Sequence, residues 1–414
     1  MLFASLAGKT FFINLTGVSL IMPKINHLEV ILKISERCNL NCSYCYVFNM
    51  GSDLALNSAP VISRNTITDL KCFLERIAEE VNPDVIQIDL HGGEPLMLKK
   101  ERFVYLCETL RSGDYKNAEL SFALQTNATL INDEWIAIFE RFNISANISI
   151  DGPKHINDKY RLDHKGRSSY EATLNGYQAL CTAAKERNIL RRPGILSVID
   201  PESDGKELFE HLYHDMQCRR FDFLLPDCNY ENPTNTDGIE RFLTDICDAW
   251  FEQNDSDCEI RLLSSHFTRL AGSSRYVVLG MTPPVEGYEA TAITVTSTGD
   301  IYIDDTLRST VSEIFTPIGN VRDATYSQII NSQPMREFRK ISSSLPDDCQ
   351  ECIWKTVCAG GRPVNRYSRD NAFNNKTIYC DAMQTLLSRG AAYLIELGLS
   401  ESELAKNIGI AEYE

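Results

Sequence analysis

Three cysteines in one short segment are the residues of this sequence best suited to chemistry. Cys38, Cys42 and Cys45 have the spacing C-x3-C-x2-C. Thiolates are soft ligands that favour iron–sulfur clusters, zinc or Cu(I). A [4Fe–4S] cluster normally takes four thiolates, so three from one loop would leave one iron free to bind a small molecule. The alternatives are a zinc loop and three cysteines without a common role.

A second cysteine group lies near the C-terminus of the chain. It has the spacing C-x2-C-x5-C-x21-C and consists of Cys349, Cys352, Cys358 and Cys380. Four thiolates complete a [4Fe–4S] site or a zinc site. A complete ligand set leaves no iron open, which favours electron transfer or a structural role over substrate binding.

The first cysteine group, with Tyr44 directly before its third cysteine, resembles the cluster motif of the radical S-adenosylmethionine (SAM) enzymes. In that family the open iron binds the amino and carboxylate groups of SAM. An electron from the cluster splits SAM to methionine and a 5′-deoxyadenosyl radical, which abstracts hydrogen from the substrate. The resemblance implies SAM and a radical SAM [4Fe–4S] cluster as cofactors, with Tyr44 among the cofactor-binding residues.

Polar segments that follow successive predicted strands resemble the SAM contacts of the same family. The segment His-Gly-Gly-Glu-Pro contains Gly92, Gly93 and Glu94. Paired glycines let a ligand approach the backbone closely, and Glu94 can accept a hydrogen bond from an ammonium group. Arginine suits a carboxylate because its guanidinium group can bind both oxygens. The resemblance implies four further SAM contacts, from Thr126, Asn127, Ser149 and Arg161.

The second cysteine group resembles the SPASM domain, a C-terminal extension of radical SAM enzymes that modify peptides and proteins. The full SPASM pattern has seven cysteines and two auxiliary clusters. This chain has Asp304 and Arg362 at two of those cysteine positions. Because both missing cysteines would serve the same cluster, we expect one auxiliary [4Fe–4S] cluster, held by the four cysteines of the second group.

Two aspartates are candidate catalytic residues. Asp305 matches the position of an aspartate that takes the substrate proton in some SPASM enzymes. A carboxylate acting as a base must lie within hydrogen-bond reach of that proton. Asp227 follows the sixth predicted strand and could touch the substrate. The alternatives are that Asp304 and Asp305 form a solvated hairpin end, and that Asp227 caps a loop.

The elements that must position these residues alternate between strands and helices. Apolar periodicity predicts six strands, at 28–34, 85–90, 120–125, 146–150, 195–199 and 221–225. Such alternation predicts a parallel α/β array with its active site at the carboxyl ends of the strands. Because it stops short of eight units, we predict a partial (β/α)6 TIM-like radical SAM barrel. A β-hairpin and helices are predicted after this array, and the resemblance of the second cysteine group implies that they form a C-terminal SPASM/twitch-like iron–sulfur domain.

We divide the chain into five parts on this basis. They are an N-terminal extension at 1–24 that can be disordered, a radical SAM core at 25–232, a bridging region at 233–290, a SPASM/twitch-like domain at 291–398 and a C-terminal tail at 399–414. The resemblance covers about residues 28–385.

The composition argues against some classes of function and partner. The chain has 414 residues, of which 43% are hydrophobic, enough for a sizeable core. Its net charge of −16 argues against nonspecific binding of nucleic acid. Polar residues interrupt the apolar stretch at 2–21, so we predict neither a signal peptide nor a membrane span. Clustered cysteine spacings favour metal sites in a reducing, cytoplasmic setting.

Within the radical SAM/SPASM class, the chain looks most like the XYE-type maturases that form three-residue cyclophanes in ribosomal peptides. The resemblance rests on the segments 161–163, 223–227 and 358–363. It implies a peptide-modifying oxidoreductase or cyclase that joins an aromatic ring to the Cβ of a residue two positions on. The implied partners are a precursor peptide and an electron donor such as flavodoxin or ferredoxin.

Other interpretations stay open from the sequence. One is a different SPASM maturase that forms thioethers, epimerises residues, or oxidises serine or cysteine to formylglycine. Another is a zinc-binding or iron–sulfur scaffold, or an electron carrier without catalytic activity. The maturases share every motif described above and differ in the residue that they attack, which the sequence does not show.

Overall fold

A single mixed sheet forms the centre of the protein. The computed structural model describes residues 25–187, 191–273, 290–310 and 313–410. The N-terminal extension at 1–24, where disorder is expected, lies outside these residues. Residues 274–289, in the last part of the bridging region, also lie outside them. The described strands are β1 His27–Ser35, β2 Val85–Gly92, β3 Glu119–Thr126, β4 Ile144–Ser149, β5 Gly194–Val198, β6 Arg220–Leu224, β7 Glu259–Ile260, β8 Ala290–Val295, β9 Asp300–Tyr302 and β10 Gly319–Asn320.

Helices cover the sheet and build the C-terminal part. Those described are α1 Leu54–Asn57, α2 Arg64–Val81, α3 Lys100–Arg111, α4 Asp133–Arg141, α5 Lys154–Tyr160, α6 Tyr170–Arg187, α7 Gly205–Glu210, α8 Thr236–Gln253, α9 Arg261–Leu270, α10 Tyr326–Ile330, α11 Gln333–Ser343, α12 Lys355–Cys358, α13 Cys380–Glu396 and α14 Glu401–Asn407. None of the helices in the described ranges is long and apolar enough to cross a membrane.

Parallel pairing organises the first part of the chain. The order across the sheet is β10-β9-β8-β1-β2-β3-β4-β5-β6-β7. Neighbours from β1 to β7 all run parallel. All six predicted strands are present, and the predicted parallel α/β fold is confirmed. Strand β7 and helix α9, which follow α8 in the bridging region, were not predicted.

The C-terminal hairpin continues the same sheet. Strand β8 pairs in parallel with β1, and Thr294 of β8 pairs with Tyr302 of the antiparallel β9. Gly299 in the connecting turn has a φ of +87°, which glycine adopts without strain. Because β8 runs parallel to β1, its carboxyl end lies at the sheet edge where β1 ends. Strand β9 has only three residues, and Asp305 in the segment after it contacts Tyr46, the residue after Cys45.

Helix α6 holds the loop after β3 in place. Thr173 donates a hydrogen bond to the carbonyl oxygen of Asn127 at 2.9 Å. At Gly176, one turn further along, a Cβ would lie 2.2 Å from the carbonyl oxygen of Ala128. Glycine therefore allows the helix to approach a loop that carries two of the predicted SAM contacts.

We expect Gly176→Ala to destabilise the protein although alanine is the better helix former. Propensity alone would favour alanine by about 1 kcal/mol, whereas overpacking costs about 1–3 kcal/mol. The measurement is the midpoint of urea denaturation. The matched control is Asn175→Ala, an exposed substitution in the same helix that we expect to be neutral or slightly stabilising. A Gly176→Ala variant as stable as this control would contradict the close approach.

Candidate active site

The first cysteine group lies in the loop between β1 and α1. The backbone N–H of Cys45 donates to the carbonyl oxygen of Cys42 at 3.0 Å, which closes a turn between these two ligands. The N–H of Asn41 donates to the carbonyl oxygen of Leu162 at 2.8 Å. The loop is thereby attached to the segment after α5, which brings Arg161 close to Cys42.

The three thiols of this loop lie close enough to influence one another. Burial, together with the negative charges of Glu94, Cys42 and Cys45, raises the pKa of Cys38 to about 12. Burial likewise raises the pKa of Cys42, which Arg161 opposes. Cysteine ligands must lose their protons when a metal binds. The loop therefore places three soft ligands close together. A cationic metal centre bound between them would stabilise their thiolate forms.

The four cysteines of the second group line one cavity. It encloses about 330 Å³ of empty space, part of it open to solvent. Within the described residues, no three His, Cys, Asp or Glu side chains lie close enough to hold one metal ion. A zinc ion would need all its sulfur ligands at about 2.3 Å. Four thiols around one cavity are the donor set that a [4Fe–4S] cluster takes.

Gly92 and Gly93 allow two segments of the chain to pack closely. A Cβ at Gly92 would lie 2.1 Å from the carbonyl oxygen of Ser35, and one at Gly93 would lie 2.5 Å from that of Arg37. The Gly93 N–H donates to the Ser35 carbonyl at 2.8 Å. The glycines thus let the backbone just before Cys38 approach β2. The role of both glycines in SAM binding stays a prediction.

Glu94 joins two other predicted SAM contacts. It accepts hydrogen bonds from the Thr126 hydroxyl at 2.7 Å, and from the backbone N–H groups of Asn127 at 2.8 Å and Leu96 at 3.0 Å. Burial raises its pKa, against the effect of these three donors. A carboxylate has about four acceptor positions. One acceptor position of Glu94 is therefore left. An ammonium group bound there would offset the cost of burying the negative charge.

Asn127 and Ser149 occupy different surroundings. The Asn127 side chain donates to Asn39 at 2.9 Å and lies 3.9 Å from the sulfur of Cys38, directly beside the cysteine loop. Ser149 at the end of β4 accepts a hydrogen bond from Gln125 at 2.7 Å. Their roles in SAM binding stay predictions.

Arg161 and Tyr44 form a buried group with Asp151. Arg161 donates to the Tyr44 hydroxyl at 2.7 Å, and that hydroxyl donates to Asp151 at 2.6 Å. The Nε atom of Arg161 is buried and has no hydrogen-bond partner. This unpaired donor beside Cys42 suits the carboxylate of a ligand such as SAM. Asp151 is not among the SAM contacts that the resemblance implied, although it follows Ser149 by two residues.

Lys33 is a central residue that the sequence interpretation missed. It is fully buried and forms an ion pair with Asp305. Its ammonium group also lies 3.3 Å from the Tyr46 hydroxyl and 3.2 Å from Nδ1 of His91. Lysine is only a donor, so Nδ1 of His91 must accept and Nε2 carries the proton. The sequence did contain a signal for Lys33, namely a single lysine within the apolar strand that leads to the cysteine loop.

Asp305 lies inside the protein and not at a solvated hairpin end. It is 2% exposed, and Tyr46 donates to its Oδ2 at 2.8 Å. Burial alone would raise its pKa, but the charges of Arg308 and Lys33 hold that pKa well below its ordinary value. Its Oδ1 has no hydrogen bond, although Arg308 lies 3.3 Å away. Asp305 is therefore ionised, and its second oxygen lies beside Arg308 without a hydrogen bond.

An ion pair involves Arg362, one of the two residues that stand at SPASM cysteine positions. Arg362 lies 3.0 Å from the carboxylate of Asp227, and the charge of Asp304 also acts on Arg362. Asp227 thus has a structural partner, and its contact with substrate stays a prediction. Opposite charges at the two substituted positions are consistent with a region that does not need a second auxiliary cluster.

We expect His91 to make the protein less stable in mild acid. Burial and the charge of Lys33 lower its pKa from 6.5 to about 3. Between these values the unfolded chain binds a proton that the folded chain excludes, so stability falls as the pH falls. The expected slope is about 1.4 kcal/mol per pH unit.

His91→Gln should remove this slope, because a glutamine oxygen can still accept from Lys33. The measurement is the free energy of unfolding from anaerobic urea titrations between pH 7 and pH 5. His155→Gln is the control, since His155 is 62% exposed. Equal slopes in the wild type and the His91 variant would contradict the buried neutral imidazole.

Comparison with known proteins supports this organisation. Residues 32–202 match the sequence model of the Radical SAM superfamily, and residues 287–353 match that of SPASM, an iron-sulfur cluster-binding domain. A cysteine-type anaerobic sulfatase-maturating enzyme of Clostridium novyi is 25% identical over 89% of this chain and 96% of its own. A serine-type enzyme of Bacteroides thetaiotaomicron is 24% identical over 84% of this chain and 85% of its own.

The fold also agrees with a solved structure. The structure of anSMEcpe with bound AdoMet and the Cp18Cys peptide has a TM-score of 0.74 and 22% identity, covering 90% of this chain and 98% of that one. The matched domains imply SAM, a radical SAM [4Fe–4S] cluster and iron–sulfur binding in the SPASM part, and the cysteine groups, Glu94 and Arg161 suit these cofactors. The chain thus contains a radical SAM domain at 32–202, followed by a SPASM domain at 287–353.

Proposed function

We propose that the protein is a maturase that oxidises a cysteine or serine of a peptide or protein substrate to formylglycine. The sulfatase-maturating relatives, aligned over most of both chains, support this assignment. They correct the sequence-based preference for cyclophane formation, because they agree with an alternative that the sequence had left open. The segments that suggested the cyclophane subfamily are short, whereas these alignments run through both domains.

The observation that carries the proposal is the ionised Asp305 beside the first cysteine loop. Tyr46, the residue after Cys45, donates to one of its oxygens, and the other oxygen has no hydrogen bond. Lys33 and Arg308 keep the carboxylate charged. This arrangement supports a base that takes a proton from a substrate near the site where SAM would bind.

The reaction removes one hydrogen atom, one proton and one electron from the substrate. When bound, SAM and its cluster supply the radical that abstracts the Cβ hydrogen, and the auxiliary cluster supplies an acceptor for the electron. Asp305 takes the hydroxyl or thiol proton. Serine then becomes the aldehyde directly, whereas cysteine becomes a thioaldehyde that water converts to the aldehyde with release of hydrogen sulfide.

Other residues of the chain hold the reactants. Glu94 would accept from the SAM ammonium group, and Arg161 would donate to the SAM carboxylate, with Tyr44 and Asp151 keeping the guanidinium group in place. The electron donor that starts the reaction, such as a flavodoxin or ferredoxin, is a further part of this proposal. So is the cytoplasmic location, which the reducing conditions needed by clustered cysteines favour.

The direct test is mass spectrometry of peptides incubated anaerobically with the protein, SAM and dithionite. A serine peptide should lose two hydrogens, and a cysteine peptide should exchange its thiol group for an aldehyde oxygen. A Cys42→Ala variant should give neither product nor 5′-deoxyadenosine. Loss of two hydrogens confined to a fragment without serine or cysteine would contradict the proposal.

We expect Asp305→Asn to reduce product formation at least about 100-fold, the usual contribution of general base catalysis. Formation of 5′-deoxyadenosine should fall less, because cleavage of SAM does not need this proton acceptor. The measurement is the ratio of 5′-deoxyadenosine to aldehyde product. Asp323→Asn, at an exposed position beyond the same hairpin, is the control. Unchanged turnover in the Asp305 variant would exclude its role as the base.

A further inference from the structure

A chain of contacts leads from Asp305 through Lys33 to His91. Lys33 forms an ion pair with Oδ2 of Asp305, and its ammonium group lies 3.2 Å from Nδ1 of His91. Both contacts are short enough for a proton to pass directly between the two groups. Lys33 is fully buried and Asp305 is 2% exposed, whereas His91 is partly exposed. The network therefore begins at a buried carboxylate and ends at a side chain that water can reach.

Two other side chains contact Asp305, and neither offers the same path. Tyr46 donates to Oδ2 of Asp305, and its hydroxyl group also lies 3.3 Å from the ammonium group of Lys33. Both of these contacts stay within the network. Arg308 is buried beside Asp305, and a guanidinium group has donors only and does not lose its proton in proteins. Arg308 therefore cannot take a proton from Asp305.

His91 has the two ring nitrogens that a proton carrier needs. Because Lys33 only donates, Nδ1 of His91 is the acceptor and Nε2 carries the proton. Arrival of a proton at Nδ1 can thus be matched by loss of the proton on Nε2 to water. Burial and the charge of Lys33 lower the pKa of His91 to about 3. An imidazolium formed there would therefore release its proton readily.

We propose that Lys33 and His91 carry the substrate proton from Asp305 to solvent and so restore the carboxylate before the next turnover. The proposal rests on the function of Asp305 as the base in the reaction proposed above.

The relay moves one proton and no electrons. Lys33 gives an ammonium proton to Nδ1 of His91 and takes the proton of Asp305, whose carboxyl group turns its protonated oxygen towards the amine. His91 then loses its Nε2 proton to water, and exchange with water returns the ring to its original tautomer. At the end Asp305 is again a carboxylate, Lys33 is again an ammonium group, and His91 is again neutral.

The test compares His91→Gln with the parent chain, because glutamine can accept from Lys33 but cannot carry a proton onwards. The measurement is the time course of aldehyde product in anaerobic, rapidly quenched reactions of the full chain with SAM, dithionite and excess peptide. The first equivalent of product should form at the parental rate, since Asp305 alone takes that proton. Later turnovers should be at least about tenfold slower, a fraction of the usual contribution of proton transfer by a positioned side chain.

A second variant separates proton transfer from a structural role. In His91→Ala, added imidazole should restore the later turnovers, because it can carry the proton in place of the missing ring. Pyrazole has a similar shape but is a much weaker base, so it should not restore them. His155→Gln is the matched control, since His155 is 62% exposed; its first and later turnovers should both equal those of the parent.

Two results would overturn the relay and leave the proposed reaction intact. One is a His91→Gln variant whose first and later turnovers both match those of the parent. The other is a first turnover that slows as much as the later ones, because His91 would then hold Asp305 in place rather than carry its proton. A parent chain that forms no aldehyde, or unchanged turnover in Asp305→Asn, would instead overturn the proposed reaction or its base, and the relay with it.

Discussion

The buried ion pair between Lys33 and Asp305 is the interaction on which the rest of this site depends. It joins the first strand of the parallel sheet to the segment after the C-terminal hairpin, and both side chains are almost completely buried. Removing one partner of such a pair costs about 3–5 kcal/mol, because the remaining charge is left unpaired. Tyr46 and His91 complete the contacts of Lys33, so the cysteine loop and β2 are tied to the same charge.

The sheet explains why these groups meet. Parallel pairing of β8 with β1 brings the carboxyl ends of both strands to one edge. The glycines at the end of β2 then allow the chain before Cys38 to come within contact distance of β2. Parallel strands need long connections, so residues far apart in the sequence share one small volume. The site is built where a barrel-type array and a SPASM hairpin use the same sheet.

Local patterns predicted much of this arrangement, and long-range contacts accounted for what was missed. Strand periodicity and cysteine spacing repeat within a few residues, so they identified the six core strands and both cysteine groups. The roles of Lys33, His91 and Asp151 depend on partners that approach only in the folded chain. The local sequence around a histidine beside paired glycines, or around a lysine in an apolar strand, does not show which residues that side chain contacts in the fold. The pairing of β8 with β1 was hidden for the same reason.

The ion pair between Arg362 and Asp227 has a consequence for how the protein is assembled. This contact needs no iron, so Arg362 and Asp227 can pair as soon as the chain folds. Insertion of a cluster is then required only at the two cysteine groups. Exposure to oxygen would damage clusters at the two cysteine groups and leave the ion pair between Arg362 and Asp227 intact. Arg362, at a position that holds a cysteine in the full SPASM pattern, thus contributes to the fold without any supply of iron.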